Sequence, residues 1–440
     1  MDCLIIAAGR GSRLSTKGDS KPLIPLLGLP LIERVILTAT KAGVSDFYVI
    51  TGHNGQEVGD FLDELSRRKN IEITHIANGE WEKENGLSVL KARKLLNENF
   101  LLLMGDHIFE ESILSKLMDE GVVDREVTLA VDHKIDTNGL NNVDDATKVL
   151  VENNRILEIG KNIKRYNAYD TGVFLCSPAV FEALDQSSRN GDCSLSGGIR
   201  ALAQKGKVNA LNINNDCWVD VDDEESFKKA EDILLANFRK ISDGPVSRYL
   251  NRPISRRITK YLLRTNITPN FVSLFSFTLS ILGGLFFFLG GYVNLAIGGI
   301  LAQTSSIVDG CDGEVARLRF QTTEFGGWFD AVLDRYADAF LLFALTCHIY
   351  FGMGDFLILF IGFLAIIGTF MNSYTADKYD GLMKRKLGSR GHYFRMGRDV
   401  RMFIIFLGAL INQPLLTLLI IALLMNAENI RRVLALYKNG

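Results

Sequence analysis

Residues 307–335 read IVDGCDGEVARLRFQTTEFGGWFDAVLDR. Four aspartates, Asp309, Asp312, Asp330 and Asp334, stand at the edge of a long apolar run, and no Asp, Glu, Lys or Arg occurs from Phe271 to Val308. Ionisable groups at membrane depth are costly and by default mark a functional site. Helical spacing sorts them. Asp309, Asp312, Gly313 and Ala316 recur at i, i+3, i+4 and i+7 and share one face. Gly326, Asp330 and Asp334 recur at i, i+4 and i+8 and share another. The small residues Gly313, Ala316 and Gly326 let two such helices pack closely. Four converging carboxylates need cations, and oxygen-only ligands suit Mg2+, Mn2+ or Ca2+ rather than zinc. An EF-hand does not fit, because Asp309 and Asp312 are wrongly spaced for its loop and no matching Glu follows.

Outward from this stretch, residues 270–437 are dominated by apolar runs of the roughly 20 residues that a spanning helix needs. The reading is an all-α membrane domain at 270–440 with six spans, at 270–290, 292–318, 325–352, 355–378, 398–411 and 413–436. Basic residues cluster before the first span, between the fourth and fifth, and after the last, whereas the opposite loops are nearly uncharged. The positive-inside rule then places both termini and the first half of the chain in the cytoplasm. In the junction, 241–269, Arg248, Arg252, Arg256, Arg257, Lys260 and Arg264 alternate with Tyr249, Leu250, Ile254, Ile258, Tyr261 and Leu262. That pattern predicts an amphipathic helix lying on membrane lipid.

Residues 1–240 read differently. Short β-rich runs (LIIAAG, DFYVITG, IEITHIAN, FLLLMGD, VTLAVD) alternate with helical patterns (LPLIERVILTATKAG, NGLSVLKARKLL, EESILSKLMDEG). This predicts an α/β domain of Rossmann-like character with a mostly parallel sheet. ATKVLVENNRILEIG reads as a hairpin, followed by strands in YDTGVFLCS and VNALNIN and a helix in DEESFKKAEDILLANFRK. The formal net charge over 440 residues is −2, and no nucleic-acid partner is expected. The six cysteines form no CxxC pair, and with the six scattered histidines they make no zinc pattern. MDCLIIAAGRG lacks a basic leading segment, so no signal peptide is expected there.

The first functional signal of this half is LIIAAGRGSRLSTKGDSKPLIPLLG. A strand ends at Ala7–Ala8, and Gly9 and Gly11 let the backbone approach phosphate. Arg10, Arg13, Lys17 and Lys21 add positive charge. Leu14 stands where a dinucleotide fingerprint has its third glycine, and no GK[ST] follows, so neither that fingerprint nor a Walker A loop is present. Asp106 ends the strand FLLLMGD, where ligands bind in open α/β sheets, and WVDVDD offers Asp220 and Asp222 to share a metal ion with it. Together AAGRGSRL, Lys21–Pro22, Gly105–Asp106 and WVDVDD resemble the sugar-phosphate nucleotidyltransferase family over nearly all of 1–235. The resemblance implies that Ala8, Gly9, Arg10, Gly11, Ser12 and Arg13 bind the nucleotide and that Lys21 meets its phosphates. It also implies that Asp106 holds Mg2+ with either Asp220 or Asp222. NGEWEKENGLSVLKA, with Asn78, Asn85 and Ser88, is most similar to the cytidylyltransferase branch.

The opening stretch fits D-x2-D-G-x2-A-R-x8-G-x3-D-x3-D without a gap, through Asp309, Asp312, Gly313, Ala316, Arg317, Gly326, Asp330 and Asp334. This resembles the CDP-alcohol phosphotransferase signature, and TPNFVS, with Ser273 in place of the usual threonine, resembles the family's TPN segment. The resemblance implies that Asp309, Asp312, Asp330 and Asp334 bind a pair of Mg2+ or Mn2+ ions. It further implies that Gly313 and Arg317 contact the CDP moiety and that Asp334 is the general base. Fused, the two halves resemble the bifunctional inositol-1-phosphate cytidylyltransferase/di-inositol phosphate phosphate synthases. In that family CTP and inositol 1-phosphate give CDP-inositol, which reacts with a second inositol 1-phosphate and releases CMP. A homodimer through the membrane domain follows from the same resemblance. Lys378, Arg385, Arg395, Arg398 and Arg401 are candidates for the acceptor's phosphate. The alternative is a phospholipid synthase using a CDP-lipid donor and a polyol or polyol-phosphate acceptor, with a non-catalytic N-terminal half.

Overall fold

The computed structural model describes residues 1–121, 125–134, 146–236, 244–387 and 397–438. It divides into two compact units, Met1–Leu234 and Leu235–Gly440.

The first unit begins with β1 (Asp2–Ala7), a small ribbon of β2 (Pro25–Leu26) and β3 (Leu29–Pro30), α1 (Leu31–Lys41), β4 (Asp46–Thr51), α2 (Gly55–Lys69) and β5 (Glu72–Ala77). It continues through α3 (Asn85–Leu90), β6 (Phe100–Met104), β7 (His107–Phe109), α4 (Glu111–Glu120), β8 (Val127–Asp132) and the hairpin of β9 (Lys148–Glu152) and β10 (Arg155–Gly160). It ends with β11 (Ala168–Cys176), α5 (Ala179–Arg189), α6 (Leu195–Ala203), β12 (Val208–Asn212), β13 (Trp218–Asp220) and α7 (Glu224–Ala236).

Among the described residues the main sheet has nine strands in the order β5-β4-β1-β6-β11-β8-β12-β10-β9. The expected parallel sheet is present in β5, β4, β1 and β6; β4, β1 and β6 are largely buried, whereas β5 is an edge strand of exposed and half-buried residues. Beyond β6 the sheet is mixed: β11 pairs antiparallel to both β6 and β8. Its core includes Leu4, Phe100, Leu102, Leu129 and Phe174. α2, α5 and α6 add to the expected helices. In α2 the buried stripe is Val58, Leu62 and Leu65, at i, i+4 and i+7, which covers one side of a helix.

The second unit is helical. A π-type turn at Ser247–Asn251 leads into α8 (Arg252–Leu262), then α9 (Pro269–Phe288), α10 (Tyr292–Leu318), α11 (Glu324–Met353), α12 (Leu357–Leu387), α13 (Arg398–Leu410) and α14 (Pro414–Lys438). Caps set two of the starts: Thr268 accepts from the Phe271 N–H, and Thr323 accepts from the Gly326 N–H. α9 and α10 meet through glycines, since a Cβ at Gly283 would fall 3.0 Å from the Gly298 carbonyl oxygen.

Helices fall on all six apolar segments. Among the described residues four of them, α9, α11, α12 and α14, are long and apolar enough to cross a membrane. α10 carries Asp309, Asp312, Glu314 and Arg317 in its C-terminal part. α13 has 13 residues, about 20 Å of helix at ~1.5 Å per residue.

α8 is amphipathic, with Tyr249, Ile254 and Tyr261 exposed around it. One of its arginines departs from the surface reading. Arg252 turns inward and its Nη1 lies 2.8 Å from Oε1 of the fully buried Glu314. Ser255 and Thr259 donate to the same carboxylate at 2.8 and 2.6 Å. A buried carboxylate needs such partners, and they fix which face of α8 packs on α10.

Candidate functional sites

In the first unit, β1 and β6 run side by side, with Ile6 opposite Met104. The loops leaving their C-terminal ends therefore meet. The loop after β1 turns at Gly11, whose φ is +63° and where a Cβ would fall 2.4 Å from Cβ of Lys21. Glycine supplies both the left-handed backbone and the space. Lys21 is buried beneath it, with Nζ 2.6 Å from Oδ2 of Asp106 and in contact with Asp222. Arg13 reaches Asp222 at 3.8 Å. Burial opposes charge on Lys21, but Asp106, Asp222 and Asp220 outweigh it and hold the ammonium well above its usual pKa.

β13 pairs antiparallel with β7, setting Asp220 opposite His107, and this brings the late aspartate to the early one. Asp106, His107 and Asp220 each present a donor atom, all within 4.8 Å of one another. The two candidates left open by sequence thus separate: Asp220 joins Asp106, whereas Asp222 faces Lys21 and Arg13. Burial opposes charge on His107, yet Asp220 and then Asp106 push its pKa up to about 10. His107 was missed by sequence reasoning, although it directly follows Asp106.

Other expected residues take other places. Ala8 is buried, while Gly9, Arg10, Ser12 and Arg13 line an exposed loop. Lys17 lies over the Phe227 ring at 4.6 Å. Asn78 donates to Ser88 at 3.0 Å in the interior, and Asn85 accepts from the Leu195 N–H, so these side chains brace α3 and α6.

In the second unit, the aspartates of α10 and α11 converge as their spacing requires. Asp309, Asp330 and Asp334 bring carboxylate oxygens within 4.8 Å of one another. α9 braces the α10 pair: Ser273 donates to Asp312 at 2.5 Å and Ser276 to Asp309 at 3.2 Å. Ser273 thus performs this contact without the methyl of threonine. Arg317 folds back over Gly313, where a Cβ would fall 3.1 Å from its guanidinium.

Arg398, the first residue of α13, supplies the cation that these acids require. Its Nη1 lies 2.9 Å from Asp309 and 2.7 Å from Asp334, and its Nε 3.3 Å from Asp338. Oδ1 of Asp330 is buried with no hydrogen-bond partner. An all-oxygen donor set that already gathers a guanidinium and holds a spare buried oxygen fits divalent ions.

Arg401 is 2% exposed and pairs with Asp338 at 2.6 Å, so it braces the site from behind instead of facing a substrate. Asp338 was not singled out from sequence, though it continues the series Gly326, Asp330, Asp334. Lys378 and Arg385 lie in the part of α12 whose side chains fall outside the described residues, as does all of Arg395.

Residues 3–194 match the MobA-like NTP transferase domain model, and residues 266–435 match that of the CDP-alcohol phosphatidyltransferases. A bifunctional IPC transferase and DIPP synthase from Rubrobacter xylanophilus is 38% identical over 98% of this chain and 95% of its own length. One from Aquifex aeolicus is 33% identical over 99% of this chain and 97% of its own. Among solved structures, the inositol-1-phosphate CTP transferase from T. maritima is 26% identical, with 53% of this chain and 94% of that chain covered at a TM-score of 0.48. By the two domain models and the full-length relatives, the chain is a transferase that joins a nucleotidyltransferase domain to a CDP-alcohol phosphotransferase domain. It belongs to the family of bifunctional IPC transferases and DIPP synthases.

Proposed function

We propose that the chain performs two consecutive transfers. In the first, a phosphate oxygen of inositol 1-phosphate attacks the α-phosphorus of CTP, pyrophosphate leaves, and CDP-inositol forms. Lys21 and Arg13, both beside Asp222, hold the phosphates that depart, and the Ala8–Arg13 loop cradles the nucleotide. Asp106 and Asp220 hold the ion at this site.

In the second, a hydroxyl of another inositol 1-phosphate attacks the β-phosphorus of CDP-inositol. The bond from that phosphorus to the CMP oxygen breaks and CMP leaves. Asp334 takes the hydroxyl proton, Gly313 and Arg317 seat the CDP moiety, and Arg398 meets the acceptor's phosphate. Asp309, Asp312, Asp330 and Asp334 form the metal cradle. Mg2+ or Mn2+ bound at the two sites supplies charge stabilisation on the phosphoryl oxygens.

The observation that carries this reading is a carboxylate cluster beside a fixed cation in each of two units of one chain. The same reading takes the membrane unit as a six-span homodimer in lipid, with the first unit, both sites and the C-terminus cytoplasmic. The basic residues that precede α9 and those in the C-terminal part of α14, Arg431, Arg432 and Lys438, support that sidedness.

The test is phosphorus NMR of full-length protein in detergent with CTP, Mg2+ and inositol 1-phosphate. CDP-inositol should appear first, followed by CMP and the condensed phosphodiester. If no CDP-inositol forms, but CMP is released from a CDP-lipid and a polyol, the chain is a phospholipid synthase.

A further inference from the structure

His107 has no part in the two transfers as written, yet the fold takes care to hold it. Its Nδ1 lies 2.7 Å from the Thr171 carbonyl oxygen. A carbonyl only accepts, so Nδ1 carries the hydrogen of that bond. Gly172, at φ +72°, leaves room for the ring: a Cβ there would fall 2.4 Å from Nδ1. The ring also leans on Trp218, with centroids 6.0 Å apart.

Nε2 is thereby aimed at the carboxylates, 3.4 Å from Oδ1 of Asp220 and 3.8 Å from Oδ1 of Asp106. Both separations exceed the usual range of about 2.7–3.2 Å for an N–H···O bond. Oδ1 of Asp220 is buried and has no hydrogen-bond partner. The three donor atoms lie within 4.8 Å of one another, as ligands of one small cation do.

We propose that His107 Nε2 is the third protein ligand of the ion held by Asp106 and Asp220. This rests on the nucleotidyl-transfer reading of that site. A histidine that donates its other ring N–H to a carbonyl is oriented and made more basic for ligation. A nitrogen among oxygens shifts preference from Mg2+ toward the borderline ions Mn2+ and Co2+. The membrane cluster, with carboxylate oxygens alone, keeps the harder preference.

Pulsed EPR of Mn2+ bound to the full-length protein in detergent reads nitrogen ligation directly. The expected result is nitrogen modulation that changes isotope pattern when only histidine carries 15N. It disappears in His107→Gln, where Mn2+ binding at this site also weakens about tenfold. The wild-type spectrum decides the question even if His107→Gln fails to fold. Mn2+ that is lost in Asp106→Asn but shows no histidine nitrogen in the wild type overturns the ligand role and leaves the nucleotidyl-transfer reading standing. The absence of any Mn2+ site sensitive to Asp106→Asn overturns both.

Discussion

Nη1 of Arg398 stands 2.7 Å from Oδ1 of Asp334, joining the first turn of α13 to the residue assigned as base. Divalent ions among these acids would compete with the guanidinium for them and leave it available to the acceptor phosphate, as proposed above. Arg398→Lys keeps the charge but loses the planar fork. KM for acceptor inositol 1-phosphate should rise about tenfold, the equivalent of one charge-assisted hydrogen bond, while CDP-inositol formation is unchanged. CMP release from supplied CDP-inositol at varied acceptor concentration measures this. An unaltered KM removes Arg398 from the acceptor site.

Asp334→Asn keeps the shape of the side chain but cannot take a proton. Loss of a positioned base costs roughly 10²–10⁴-fold, so the second transfer should nearly stop while the first continues. CDP-inositol then accumulates from CTP and inositol 1-phosphate, visible by phosphorus NMR. Undiminished CMP release from CDP-inositol would remove Asp334 from the role of base.

Asp220 and Asp222 separate by partner, and their variants should separate by metal. Asp220→Asn removes a ligand, and half-saturating Mg2+ for CDP-inositol synthesis should rise about tenfold or more. Asp222→Asn removes one of the two carboxylates that hold Lys21 and the one beside Arg13, so it should alter CTP turnover while half-saturating Mg2+ stays within about twofold, because no ligand is lost. A reversed pattern would interchange the two assignments.

The membrane aspartates were legible because helical spacing alone placed them together, against a background free of charge. Asp338 extended the same series and needed only one more step. Glu314 was not legible: its main partner, Arg252, lies 62 residues earlier on another helix, and such a pairing leaves no periodic trace. Arg252 accordingly read as a surface cation. The early strands of the first unit were plain as buried apolar runs. The antiparallel entry of β11 was not, because strand direction depends on long-range connection. Asp106 was visible as a strand-end acid, whereas Asp220 and Asp222 separated only once β13 had paired with β7.

Glu314→Ala leaves Arg252 as a buried cation without its carboxylate. Breaking a buried pair costs about 3–5 kcal/mol, so the membrane unit should unfold at a clearly lower temperature in detergent. Arg252→Met with Glu314→Leu removes both charges and should recover most of that loss. If the double variant is as unstable as Glu314→Ala, the cluster acts through something other than charge pairing.

Gly11→Ala tests whether the two transfers are separable. The loop needs a left-handed φ at this position, which costs an L-residue about 1–2 kcal/mol. A Cβ there would also collide with Cβ of Lys21 at 2.4 Å, an atom next to the backbone that cannot swing away. Either the loop or Lys21 must move, and both are assigned to CTP in the proposed reaction. CDP-inositol synthesis should fall by at least about tenfold, since 1.4 kcal/mol already corresponds to that factor. Supplied CDP-inositol should still be consumed at the wild-type rate, because the second site lies in a unit with its own core. Measuring both rates on one preparation provides the check, and a parallel loss of CDP-inositol consumption would show that the sites do not work independently.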